Sequence, residues 1–160
     1  MKKETKKSLL SILVITLTFI VSVIIILFVS MIVSISKYKY ANYYTIDKED
    51  KIPSINYILG KRKLYYYKSY TKNNTPYKVL KYKNIKNTKS DLSTYINTLR
   101  DDYNFVLTSD MNLSKDNGSI QLCSNSVYKN KIIILNINYN KNKYSITISV
   151  NNGYINMLKK

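Results

Sequence analysis

The residues best suited to chemistry in this chain lie in Lys63-Leu64-Tyr65-Tyr66-Tyr67-Lys68-Ser69-Tyr70, where aromatic rings alternate with amines. Tyrosine faces stack on sugar rings or bases, and lysine ammoniums pair with phosphates, so the pattern suits contact with a polyanion. Lys61, Arg62, Lys63, Lys68, Tyr65 and Tyr67 are the candidate contact residues. A β-strand accounts for the same letters without any ligand, because strands favour aromatic side chains. Base composition is a second source. Lys, Asn, Ile and Tyr (17 copies) all have AT-rich codons, and only Arg62 and Arg100 are arginine. A low-GC genome therefore enriches these residues with no ligand involved. Whatever its origin, the balance of 26 Lys+Arg against 9 Asp+Glu gives a net charge of +17, which attracts anionic lipid, acidic wall polymer or nucleic acid.

Much other chemistry is excluded by composition. The chain has no histidine, which removes Ser-His-Asp and Cys-His catalysis and His-ligated metal sites. Cys123 stands alone, so neither a disulfide within the chain nor a thiolate zinc site can form; it reads as a small, half-buried strand residue. Gly60, Gly118 and Gly153 are too far apart for a Walker A loop or a dinucleotide fingerprint. Asp110-Met111-Asn112 followed by Asp116-Asn117-Gly118 resembles a calcium loop only superficially. Calcium needs a bidentate carboxylate at position 12 of the loop, where this chain has Gln121. That stretch reads as a polar hairpin. Asp47, Glu49, Asp50, Asp101 and Asp102 read as solvated surface charge. The expectation is a protein that is not an enzyme, with no cofactor and no metal.

These residues must be held by a chain with two unlike parts. From Ser8 through Ser36 there is no charged residue, no Gly and no Pro. A bilayer core of about 30 Å needs roughly 20 apolar residues, so residues 8–36 are predicted to span the lipid bilayer as an uncleaved signal-anchor. Lys2, Lys3, Lys6 and Lys7 in the tail 1–7 favour a cytoplasmic N-terminus, although Lys37, Lys39, Lys48 and Lys51 bring the lysine tally of the far flank close to a tie. The predicted placement is the cell membrane, single-pass, with the C-terminal domain extracytoplasmic. Tyr38, Tyr40, Tyr43 and Tyr44 suit headgroup depth at the exit. A location outside the cell makes nucleic acid an unlikely partner.

Residues 37–90 hold 14 basic and 3 acidic residues, against 8 and 5 in residues 91–160, so the positive charge concentrates near the anchor. Residues 37–60 read as a membrane-proximal linker, 61–150 as an α+β domain and 151–160 as a tail. Lys61 to Tyr70 and Tyr77 to Tyr82, separated by Lys72-Asn73-Asn74-Thr75-Pro76, predict a β-hairpin. Leu92, Tyr95, Ile96, Leu99 and Tyr103 recur at helical spacing, with Thr88 and Asp91 spaced as a capping box and Asn104 as the stop. Four strands are predicted after it: Phe105 to Asp110, Ser119 to Cys123, Ile132 to Tyr139 and Tyr144 to Val150, with turns at Asn117-Gly118 and Lys141-Asn142. In the last strand Tyr144, Ile146, Ile148 and Val150 share one face. The order β-β-α-β-β-β-β predicts a small antiparallel sheet with one packed helix.

The layout of an anchor, then Ile52-Pro53-Ser54 and Gly60-Lys61-Arg62-Lys63, then Asp91-Leu92 opening a helix and Tyr144-Ser145-Ile146-Thr147-Ile148 near the end resembles uncharacterised single-pass membrane proteins of clostridia-like low-GC Gram-positive bacteria. The likeness covers roughly residues 50–150 and implies a Gram-positive envelope but no known activity. An apolar helix before an antiparallel sheet is also similar to type IV pilins. Their processing needs a Gly before the apolar run and a Glu five residues into it, and Lys7-Ser8-Leu9-Leu10-Ser11-Ile12 has neither. The expected role is an anchored accessory or binding module of the envelope, its basic face toward anionic lipid or wall polymer. The alternative is a structural subunit that meets other envelope proteins through Tyr-rich sheet edges or the anchor.

Overall fold

The computed structural model describes residues 2–46 and 49–155, with side chains from residue 11 onward. Asp47, Lys48, the lysine side chains of the basic tail and residues 156–160 therefore lie outside the described residues. The chain forms two compact units, Met1–Ser36 and Lys37–Lys160.

The first unit is most of helix α1 (Lys2–Lys39), which runs unbroken through the residues expected as a separate tail. Its stretch Ser11–Lys39, 29 residues long, is long and apolar enough to cross a membrane. At 1.5 Å per residue it extends about 44 Å, against about 30 Å of hydrocarbon. Ile12, Leu13, Val14, Ile15 and Phe28 are exposed around its circumference, so the helix has no polar face. The hydroxyls of Thr16, Thr18, Ser22 and Ser30 donate to carbonyls three or four residues back, at 2.8 to 2.9 Å, which satisfies them without water.

The second unit is α+β. A six-stranded antiparallel sheet has the order β3-β4-β8-β7-β6-β5. Its members are β3 (Lys63–Lys72), β4 (Thr75–Lys83), β5 (Val106–Leu107), β6 (Gly118–Asn125), β7 (Lys131–Asn140) and β8 (Lys143–Asn152). Helix α3 (Thr88–Asp102) stands between β4 and β5 in sequence, as the predicted order requires. Leu92, Tyr95, Ile96 and Leu99 are fully buried, and so are Leu80, Tyr82, Leu122, Leu135, Ile137, Ile146 and Ile148 of the sheet's inner face. Each such side chain contributes about 1.5 to 3 kcal/mol when removed from water.

Several local expectations shift. The β3–β4 turn narrows to Asn73 and Asn74, whose φ of 49° and 58° are left-handed, a conformation asparagine tolerates. The helix cap is Asn87, whose side chain accepts from the Ser90 amide at 3.0 Å. Thr88 is instead the first helical residue and donates to the Lys141 carbonyl, while Asp91 turns to an arginine, so the Thr88 and Asp91 capping box does not form. Asn104 at φ 56° ends the helix as expected. The strand expected at 105–110 shortens to Val106–Leu107. Asn117-Gly118 is not its turn, because Gly118 opens β6 and lies against the Tyr139 ring, where an added Cβ would come within 2.7 Å of the hydroxyl. Asn151 and Asn152 belong to β8 rather than to a tail.

The largest departure is the linker. Residues 37–60 contain β1 (Tyr43–Thr45), β2 (Lys51–Pro53) and α2 (Ile55–Leu59), with Tyr44, Ile46, Ile52 and Ile55 buried. Tyr44, expected at the membrane interface, is fully buried. Its hydroxyl bonds that of Tyr82 and accepts from the Ile55 amide at 2.9 Å. Tyr95 donates to the Pro53 carbonyl at 2.9 Å. Asp50, expected on the surface, is 2% exposed and accepts from the Ser126 hydroxyl at 2.7 Å and the Val127 amide at 2.9 Å, which fastens the segment to the β6–β7 loop.

Burial pushes the Tyr44 hydroxyl up to about 12 from its ordinary 10.0, and raises those of Tyr82, Tyr95 and Tyr144 as well. Below pH 10 the neutral rings contribute their full stability. As pH rises through 10 toward 12 the unfolded chain loses these protons first, so stability falls. The melting temperature of the full chain should therefore drop over this window, with Tyr44, Tyr82, Tyr95 and Tyr144 among the tyrosines that ionise only on unfolding. Ionisation of all 17 while the fold persists would contradict this packing.

Candidate functional site

The inner face of the six-stranded sheet is buried, whereas on its outer face Lys63, Lys68, Lys83 and Lys143 are exposed and Tyr66, Lys81 and Ser145 half-buried. Strand register places the outer residues in transverse rows about 7 Å apart. The first row is Lys63, Lys83, Lys143 and Asn140 on β3, β4, β8 and β7. The next is Tyr66, Lys81, Ser145 and Asn138, followed by Lys68, Val79, Thr147, Asn136 and Gln121, and then by Tyr70, Tyr77, Ser149 and Ile134. Not one of the six strands contains Asp or Glu.

A break in strand register decides which tyrosines belong to this face. Leu64 pairs with Tyr82 and Tyr66 with Lys81, leaving Tyr65 as a bulge. Side chains alternate with period two, so one inserted residue inverts every position after it. Tyr66 turns outward, with the Lys81 ammonium 4.7 Å from its ring centroid, and Tyr65 lies under Lys83 at 5.0 Å. Tyr67 turns inward. Its ring stacks on Tyr38 at 4.0 Å, and burial raises its hydroxyl pKa above the ordinary value. At the far end Tyr70 stacks on Tyr77 at 5.2 Å, with Lys68 over Tyr70 at 5.3 Å.

Of the six residues singled out in the sequence, Lys63, Lys68 and Tyr65 meet on this face, and Lys61 is exposed just ahead of β3. Two are not free contacts. Tyr67 is held by Tyr38, and Arg62 is held by Asp91 through Nε to Oδ2 at 2.6 Å and Nη2 to Oδ1 at 2.8 Å. Asp91's hydrogen bonds raise the Arg62 pKa further. Arg62 thus neutralises a carboxylate that is only 8% exposed, and it ties β3 to α3. Sequence reasoning missed Tyr66, Lys81, Lys83 and Lys143. For the three lysines the signal was present: Lys81 and Lys83 flank Tyr82 at i−1 and i+1, and Lys143 precedes the alternating strand that starts at Tyr144, so each sits opposite in phase to a core residue, whereas Tyr66 turns outward only through the bulge.

Three directly opposed lysines form an unfavourable row, since like charges on neighbouring strands repel. The described ion pairs are Arg62–Asp91 and Lys89–Asp116, neither of which reaches this row. Beside it a cavity of about 330 Å³ is lined by Tyr65, Lys81, Asn138, Asn140, Lys143 and Ser145, together with Tyr139 and Tyr144. Such a surface can stack sugar or polyol carbons on its rings, donate to hydroxyls from its amides and neutralise anions. Compared with protein-family models, curated proteins and solved structures, the chain matches none.

The division between structural Arg62 and the surface lysines is testable by urea unfolding. Arg62→Met should cost about 2 kcal/mol, because it strands the Asp91 carboxylate. Arg62→Met combined with Asp91→Leu should recover much of that loss. Wild-type stability for Arg62→Met alone would mean the pair is no more than a surface contact.

Proposed function

We propose that the chain is a membrane-anchored, non-enzymatic binding module of the cell envelope, held in the bilayer by residues 8–36. Its N-terminus is cytoplasmic and residues 37–160 lie outside, where the outer sheet face binds an anionic ligand, wall polymer or anionic lipid. The observation that carries this reading is the acid-free outer face with Lys63, Lys83 and Lys143 aligned side by side. Codon bias explains an excess of lysine, but it does not explain why the acidic residues all fall outside the sheet. The resemblance to clostridial single-pass proteins agrees with an envelope location.

Assembly through the sheet edge is the weaker reading. Of the two edge strands, β3 carries Lys63, Lys68 and Lys72 and a bulge and β5 is only two residues long, devices that oppose strand addition.

Orientation is tested with Lys72→Cys in a Cys123→Ser background. Lys72 is exposed at the end of β3, and Thr108 Oγ1, 3.7 Å from Cys123 Sγ, offers a serine a partner. A membrane-impermeant maleimide should label intact cells; labelling only after lysis overturns the extracytoplasmic placement.

Binding is tested with the full chain in nanodiscs of neutral lipid, presented with a soluble poly(glycerol phosphate) and, separately, with anionic vesicles. Affinity should fall steeply as salt rises from 0.1 to 1 M, because the screening length shrinks from about 10 Å to about 3 Å. Failure to bind either probe at low salt sinks the proposal.

A further inference from the structure

The lysine end of the outer face differs from its aromatic end in shape as well as charge. The 330 Å³ cavity is lined by Lys81, Lys143, Tyr65, Asn138, Asn140 and Ser145. Lys83 lies directly opposite Lys143 at its rim, held over Tyr65. Among the described residues no protein group hydrogen-bonds the amides of Asn138 or Asn140. On the same sheet Gln121 bonds Asn136 at 2.8 Å, and Asn125 bonds Ile155 through both its side-chain amide and its carbonyl; the side chains of Asn138 and Asn140 beside the lysines, like those of Asn151 and Asn152 at the far end of β8, are open to an outside partner.

Resting on the reading of this face as anion-binding, we propose that the cavity is a seat for one phosphodiester-linked polyol or sugar unit of a wall polymer. The phosphate lies among Lys81, Lys83 and Lys143, whose ammoniums relieve their mutual repulsion by sharing one anion. The hydroxyls of the unit meet Asn138, Asn140 and Ser145, which both donate and accept, and its carbon skeleton lies on Tyr65. The same glycerol phosphate chemistry occurs in a lipid headgroup. A polymer is favoured because the anion must enter a concavity rather than touch a plane. Beyond the seat, the outer face continues for about 14 Å along β4 through Lys68 to the Tyr70–Tyr77 stack, a track on which further units of a chain can lie.

The test uses the full chain in neutral-lipid nanodiscs and a soluble glycerol phosphate oligomer. Lys81→Gln with Lys143→Gln should weaken binding by about tenfold or more, whereas Lys68→Gln with Lys72→Gln, the same charge change at the other end, should cost no more than about threefold. Asn138→Ala with Asn140→Ala should weaken binding of the oligomer but leave binding of inorganic polyphosphate, which lacks hydroxyls, unchanged. All three pairs are on the surface face, and an unaltered melting temperature verifies folding. Equal losses from both lysine pairs would replace the seat with a diffuse positive field, overturning this inference while sparing the broader one. Binding to phosphatidylglycerol vesicles but not to the oligomer would overturn the polymer as ligand. No binding by the unaltered chain to any of these probes would remove the underlying reading as well.

Discussion

Between Leu64 and Tyr66 the β3–β4 ladder holds one unpaired residue, and the period-two geometry of a strand gives that residue control over everything beyond it. With strict alternation from Leu64, Tyr67 would face outward and Tyr66 would compete for the core. The bulge exchanges them. Tyr67 then meets Tyr38 on the inner side, and Tyr65 and Tyr66 both reach lysines on the outer side. A local irregularity thus separates rings that complete the core from rings that furnish a surface.

The inner side is closed by polar contacts as much as by apolar area. Tyr44, Tyr82 and Tyr95 bury hydroxyls, and each finds a partner across the layers: Tyr44 with Tyr82 and the Ile55 amide, Tyr95 with the Pro53 carbonyl. Leaving any of them unpaired costs about 1 to 3 kcal/mol, so the contacts fix where β1, β2 and α2 sit. Asp50 does the same work at the β6–β7 loop and Asp91 at β3. Tyr144 is the exception, a buried hydroxyl with no partner among the described residues.

This use of the carboxylates bears on the surface. Asp50 and Asp91 are spent on internal contacts, and Asp116 pairs with Lys89 at 3.2 Å outside the sheet. Among the described residues, no lysine of the six strands forms an ion pair. Cation–π contacts with Tyr65, Tyr66 and Tyr70 steady their stems, yet leave the ammonium charge in place, since an exposed contact of this kind contributes only about 0.5 to 1 kcal/mol. The face therefore pairs aromatic rings with uncompensated positive charge.

By itself the sequence determined the parts that follow from composition and periodicity. The apolar run from Ser8, the helix stripe from Leu92, the alternation of Tyr144 to Val150 and the order of the elements are written in local spacing, which solvent and backbone geometry read directly. Lys63, Lys68 and Tyr65 were likewise legible as surface residues. Tertiary structure alone decided the rest. The fold of residues 43–59 depends on partners up to 77 positions away, as between Asp50 and Val127, and no local period encodes these. Arg62 looked like its lysine neighbours until Asp91, 29 residues on, claimed it. Lys63, Lys83 and Lys143 became one row only because β8 pairs beside β4, and which residues stand opposite is set by register across the sheet, a property no single strand carries.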